Sequence, residues 1–168
     1  MAHTSINTTQ VKDFIGEQYA PFLFNSQVQQ KSRFALALAS AAEAPIENIR
    51  SQINRTNPRS RVLEITAPSG RDQSKQYRAF LSEILYRLGE SPFRRGQESA
   101  IAAYLPKVLS ARYDFVIIDH AEHMGAYSID ALRRDRGCPP VFLVAYDDRI
   151  LETLIANEAL LNRIFMLS

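Results

Sequence analysis

Two stretches of this sequence combine residue types and spacings that do chemistry in parallel α/β proteins. The first is Thr66-Ala-Pro-Ser-Gly70-Arg-Asp-Gln-Ser74, a turn-forming cluster after a short β-branched run and before an apolar run at helical spacing. A loop that cradles phosphates needs glycines so that backbone N–H groups can wrap the anion. It also needs a lysine for the outer phosphates and a Ser or Thr hydroxyl for the magnesium ion. Gly70 and Ser74 are the candidates here. The second stretch, Phe115-Val-Ile-Ile-Asp119, places an acid at the end of four apolar residues. This is the form of a strand that delivers a carboxylate to a metal–nucleotide complex. Each signal alone is weak. The ordinary reading makes Asp119 a polar strand end and Ser74 a helix N-cap.

The elements that must position these residues follow from hydrophobic period. Arg61–Thr66, Asp114–Asp119, Pro140–Ala145 and Ile164–Leu167 read as strands, and helices are expected over about Ser74–Leu88, Gln97–Ala111, Ile129–Arg134 and Asp148–Asn162. Gly89 is placed as the C′ stop of the first of these helices. A short edge strand around Pro92-Phe93 is left open. Upstream, Val11, Phe14, Ile15 and Tyr19 fall at helical spacing, the alanine-rich run Gln30–Glu43 reads as a second helix, and a third begins after Pro45. The expectation is a helical N-terminal extension over residues 1–58 and an α/β core over 59–168. Alternation of apolar strands with helices implies a parallel sheet covered by helices.

Taken in order, the residues from Arg59 onward resemble the AAA+ branch of P-loop ATPases, and in particular the ATPase subunits of bacterial DNA-transposition systems. Thr66–Ser74 stands where that family has its Walker A loop, and Val116-Ile-Ile-Asp119-His-Ala-Glu-His-Met124 where it has a Walker B strand. Pro140–Tyr146 resembles the next core strand, which in the family ends in a polar sensor residue. Leu161-Asn-Arg163-Ile-Phe165 resembles the segment carrying its arginine finger. The resemblance covers about two thirds of the chain and rests on order and spacing more than on identity. It implies a P-loop NTPase fold with Gly70, Ser74 and Asp119 at a degenerate nucleotide site.

Against Gly-x-x-x-x-Gly-Lys-Ser the loop has Ala67, Asp72 and Gln73 where the family has its two glycines and its lysine. A carboxylate about 4 Å from a phosphate charge costs on the order of 4 kcal/mol at an effective dielectric near 20. His120 stands in place of the family's catalytic glutamate. The chain reaches Ser168 within or just after its last strand, so no C-terminal lid is expected. These departures point away from turnover: no catalytic residues are assigned, and no cofactor is expected. ATP with magnesium enters only under the alternative of an ATPase in which Arg71 or Lys75 replaces the lysine.

The remaining composition bears on partners. The chain has 168 residues, 46% hydrophobic and 23% charged, with one cysteine, Cys138. That excludes collagen-like, wholly disordered and disulfide-stapled classes. No apolar run approaches the ~20 residues of a membrane span, and Met1–Gln10 lacks the order of a signal peptide, so the expected setting is the cytoplasm. The net charge of +2 hides 16 arginines against 4 lysines. Arg50, Arg55, Arg59 and Arg61 form one acid-free cluster, and Arg133, Arg134 and Arg136 a second. Either suits phosphate contact or a protein interface, as does Arg163, and a solvated face is the ordinary alternative. His120, Glu122 and His123 lack a third ligand at metalloprotease spacing, and no metal is expected there. The expectation is an AAA+-like protein without turnover, partnered by an ATPase paralogue or a transposase. Contact with DNA and self-association stay open.

Overall fold

The computed structural model describes residues 34–39, 44–70, 72–90, 97–133, 138–155 and 164–166. Their element order is β1 (Phe34–Leu38), α1 (Pro45–Thr56), β2 (Val62–Thr66), α2 (Gln73–Arg87), α3 (Glu98–Arg112) and β3 (Phe115–Asp119). A 3-10 turn (Ala121–His123), α4 (Ala126–Arg133), β4 (Val141–Ala145), α5 (Arg149–Ile155) and β5 (Ile164–Met166) follow. The five strands form one sheet in the order β2-β3-β4-β1-β5, and each pairing is parallel. The α/β class and the four downstream strands agree with the sequence reading.

The helix expected over Gln30–Glu43 is corrected: this run contains β1, paired with β4 on one side and β5 on the other. The sheet therefore recruits a strand from the stretch expected to be a helical extension, and a boundary at residues 58 and 59 cuts through the sheet. The physical reason lies in the alternation Phe34-Ala-Leu-Ala-Leu38. Phe34 and Leu36 pack with α2–α4 on one face, and Ala35 and Ala37 pack on the other. That period-2 pattern outweighs alanine's preference for helix. The helix expected near Val11–Tyr19 and the edge strand near Pro92-Phe93 lie outside the described residues.

Small residues on one face let α1 approach closely, and it docks Ile49 and Ile53 against Ala35, Ala37, Ile117, Phe142 and Val144. The opposite face carries the larger core, in which Phe80, Leu81, Ile84 and Leu85 of α2 meet Leu63, Ile65, Val116, Ile118 and Leu143. Strands buried on both sides explain why β3 and β4 read as continuous apolar runs. Helix α2 ends as expected. Gly89 adopts φ +72, its N–H reaches the Tyr86 carbonyl, and the Glu90 N–H reaches the Leu85 carbonyl, which is the Schellman arrangement. Among the described residues no helix is long and apolar enough to cross a membrane.

Candidate functional site

Chain direction in the sheet marks where a ligand would sit. The connection from β1 runs to the far edge strand β2 with α1 on one face. The steps β2 to β3, β3 to β4 and β4 to β5 run the other way, with their helices on the opposite face. Right-handed crossovers require this, and the reversal creates a crevice outside the carboxyl ends of β1 and β4. The residues closing β1 and leading to α1 are Ala39-Ser-Ala-Ala-Glu-Ala44. This connection has neither glycine nor lysine and contains Glu43. The Ala39 N–H donates to the Ala145 carbonyl at 2.9 Å. Ala44 enters α1 in a left-handed conformation (φ 46), and no side chain caps that helix.

The Thr66–Ser74 loop follows β2, at the edge of the sheet. Gly70 and Ser74 therefore lie away from the crevice that the topology creates. A Cβ on Gly70 would stand 2.5 Å from the Gln76 backbone nitrogen, so the loop is folded directly onto the first turn of α2. Asp72 is the N-cap of α2, its carboxylate accepting from the Lys75 N–H at 2.8 Å. Ser74 sits one position inside the helix and does not cap it. Gln76 is buried; its Nε2 donates to the Pro68 carbonyl at 3.2 Å, and its Oε1 accepts from the Gly125 N–H at 3.2 Å and from the Ser128 hydroxyl. This amide ties the loop after β2 to the loop after β3.

Asp119 lies at the carboxyl end of β3, where the sequence placed it. Its Oδ1 accepts from the His120 N–H at 3.0 Å, and its carboxylate also accepts from the Tyr146 hydroxyl. Burial, then that hydrogen bond, then the charges of Asp119 and Glu122, push the Tyr146 hydroxyl well above the usual tyrosine range. It stays protonated and remains a donor to Asp119. Glu122 is turned inward with 5% of its side chain exposed, with Oε1 3.0 Å from His120 Nδ1 and Oε2 accepting from the Tyr146 N–H at 3.2 Å. His120 adopts φ 54 and packs its ring 4.6 Å from that of Tyr146. Beyond β4, Arg149 hydrogen-bonds the Asp147 carboxylate and holds it below the usual carboxylate range. Beside Asp119, an open cavity of about 110 Å³ is lined by Ile46, Glu64, Thr66 and Ile117 among others.

Sequence alone does not single out Tyr146 or Gln76 as functional, and it raises Glu122 only as a metal-ligand candidate beside His120 and His123. The position of Tyr146 at the end of an apolar strand was the available signal. Gln76 gives none, since amides at helix starts look the same in sequence. The first arginine cluster lies near the opposite, amino end of the sheet. Arg61 bonds Asp114 and the Ala111 carbonyl, and Asp114 is held below its ordinary value chiefly by the Arg61 N–H and then by its guanidinium. Arg50 pairs with Glu64 at 2.6 Å. Arg55 and Arg59 are exposed. Arg133 closes α4, and Arg71, Arg134, Arg136 and Arg163 lie outside the described residues.

No protein-family model matches this chain, and no curated protein matches it. Among solved structures it is similar to Cdc6p from Pyrobaculum aerophilum, with a TM-score of 0.62 at 13% sequence identity. The match covers 99% of this chain and 47% of that one, so this chain spans about half of the matched structure. The likeness shows the fold alone, a parallel sheet flanked by helices.

Proposed function

We propose that this chain is an AAA+-like domain without nucleotide turnover that acts as an interaction and regulatory protein. One observation carries the reading. The connection that follows β1 in sequence, residues 39–44, has no glycine and no lysine and includes an acid, Glu43, and a phosphate loop is expected after the strand at which crossover direction reverses. Phosphates there would lack the backbone wrap and the cation that hold them in a working loop. The neighbouring Asp119 carboxylate is already engaged by the Tyr146 hydroxyl and the His120 N–H. Each carboxylate within about 4 Å of a phosphate charge opposes binding by on the order of 4 kcal/mol before screening.

The partners this reading favours are components of a DNA-transposition or other mobile-element assembly, an ATPase paralogue or a transposase. The order of motif-like segments in the sequence supports that class. The experiment is a calorimetric titration of the full chain with ATP and Mg²⁺, paired with thermal shift. We expect neither heat nor a Tm rise at millimolar nucleotide. Saturable binding tighter than ~100 μM, about −5.5 kcal/mol, would overturn the reading in favour of an ATPase with an unorthodox loop.

A second reading, DNA contact through the first arginine cluster, rests on Arg55 and Arg59. Both are exposed, and their guanidinium groups have no acidic partner among the described residues. If both sit on phosphates, replacing them with alanine lowers the slope of log affinity against log salt by about 2. An unchanged slope removes this reading.

A further inference from the structure

We propose that His120, Glu122 and His123 form a binding site for a divalent transition-metal ion of the zinc class. One nitrogen or oxygen from each of the three lies within 4.8 Å of the others. A zinc ion bound at 2.0–2.1 Å to tetrahedral ligands sets them about 3.3 Å apart. His120 Nδ1 and Glu122 Oε1 are already 3.0 Å apart, and the remaining separations, up to 4.8 Å, must close by up to about 1.5 Å around an ion.

Local backbone explains how a His-x-Glu-His run achieves this without helical i, i+4 spacing. The His123 N–H bonds the His120 carbonyl at 3.1 Å, closing a 3-10 turn. Residues three apart eclipse in such a turn, and the two imidazoles stack with centroids 5.9 Å apart. His120 is one of two described non-glycine residues with positive φ. A conformation of this kind costs free energy and recurs at ligand sites.

An independent observation points the same way. Glu122 is a carboxylate with 5% of its side chain exposed. Its direct partners are the His120 ring and the Tyr146 N–H, neither of which carries a fixed positive charge. Arg149, which feels the Glu122 charge, is hydrogen-bonded to Asp147. A buried acid of this kind is stabilised by a cation. Two imidazoles and one carboxylate select zinc, copper or nickel over magnesium and calcium, which prefer oxygen ligands. Solvent supplies the remaining coordination positions. The ion would fix the conformation of the loop after β3, whose Glu122 also accepts from the Tyr146 N–H, a role independent of nucleotide binding.

The test is calorimetric titration of the metal-stripped full chain with ZnCl₂. We expect one ion per chain with Kd below ~10 μM, unaffected by millimolar Mg²⁺. His120→Ala, His123→Ala and Glu122→Gln should each weaken binding at least about tenfold, whereas His3→Ala and Cys138→Ser should leave it within about twofold. Absence of saturable binding, or binding that survives the His120→Ala/His123→Ala double variant, overturns the proposal. Should the variants fail to fold, imidazole ring-proton NMR of the unmodified protein decides, because the chain has only three histidines. Zinc must then shift two of the three signals, with the His3 signal identified from the spectrum of His3→Ala. A shift confined to His3 refutes the site.

Discussion

Replacing Gln76 with leucine tests whether the loops at the carboxyl edge are held by a single buried amide. Leucine has nearly the same volume, so little cavity is created, and the effect isolates the polar contacts. Three groups lose their partner: the Pro68 carbonyl, the Gly125 N–H and the Ser128 hydroxyl. Gln76 is 3% exposed and Ser128 0%, so the hydroxyl loses its acceptor in a dry site, while the two backbone groups are part-buried and regain water after a small shift. An orphaned buried polar group costs about 1–3 kcal/mol. One full penalty plus fractions of two others gives a loss of about 2–4 kcal/mol, against a total stability on the order of 5–15 kcal/mol. For a chain of this size that corresponds to a fall in Tm of roughly 5–15 °C. Urea denaturation followed by circular dichroism measures the loss. Adding Ser128→Ala removes one orphan and should restore about 1 kcal/mol, a non-additivity expected of direct contacts. Amide hydrogen exchange over residues 120–125 should accelerate in Gln76→Leu. A loss below about 0.5 kcal/mol, the usual range for surface changes, or strict additivity with Ser128→Ala, refutes the reasoning.

Gly70→Ala forces a Cβ to within 2.5 Å of the Gln76 backbone nitrogen, and we expect a destabilisation of about 1–3 kcal/mol in thermal unfolding. Asp72→Ala removes the N-cap bond to the Lys75 N–H and should cost about 1 kcal/mol, largely recovered by Asp72→Ser. The Arg61–Asp114 pair is 52% and 42% exposed at its side chains, so Asp114→Asn should cost less than about 1 kcal/mol at pH 7. Because the folded Asp114 carboxyl is depressed, its contribution is complete above the ordinary value near 3.9 and is lost as pH falls through the lower folded value. The stability gap between the natural chain and Asp114→Asn should therefore narrow below about pH 4. A gap that widens there contradicts the assignment.

Most of the architecture was legible because double-sided burial writes itself into sequence. Phe115–Ile118 and Val141–Ala145 are apolar without interruption, and Phe80, Leu81, Ile84 and Leu85 repeat at helical spacing. Asp119 was legible as a strand-end acid. The tertiary partners of side chains were not. Nothing in sequence distinguishes Asp72 as an N-cap from Asp72 as a charge facing a ligand, since the two roles differ only in where Lys75 N–H lies. The role of Gln76 is not legible in sequence because its partners stand 8, 49 and 52 positions away. His120, Glu122 and His123 match no metalloprotease ligand spacing in sequence, and their convergence depends on a 3-10 turn that spacing does not reveal.

The strand misread as helix bears most heavily on function. Phe34–Leu38 occupies the sheet position where the crossover direction reverses, so a phosphate loop belongs after it and not after β2. Sequence order alone favoured Thr66–Ser74, because the alanines of β1 hid the strand and Asp119 follows Thr66–Ser74 at a suitable distance. The proposed loss of nucleotide chemistry is nonetheless insensitive to this choice. Ala39–Ala44 has no glycine and no lysine. Thr66–Ser74 has one glycine, closed against Gln76, and an acid that caps its own helix. The two loops fail for different reasons, one through composition and the other through packing. Because residues 39–44 lack glycine as well as lysine, a lysine alone leaves the backbone wrap unmet, and Ala44→Lys alone should not confer ATP binding. Binding gained by that variant, measured in the same calorimetric titration, would show that charge at α1 was the sole deficit and that the backbone there is competent to wrap a phosphate.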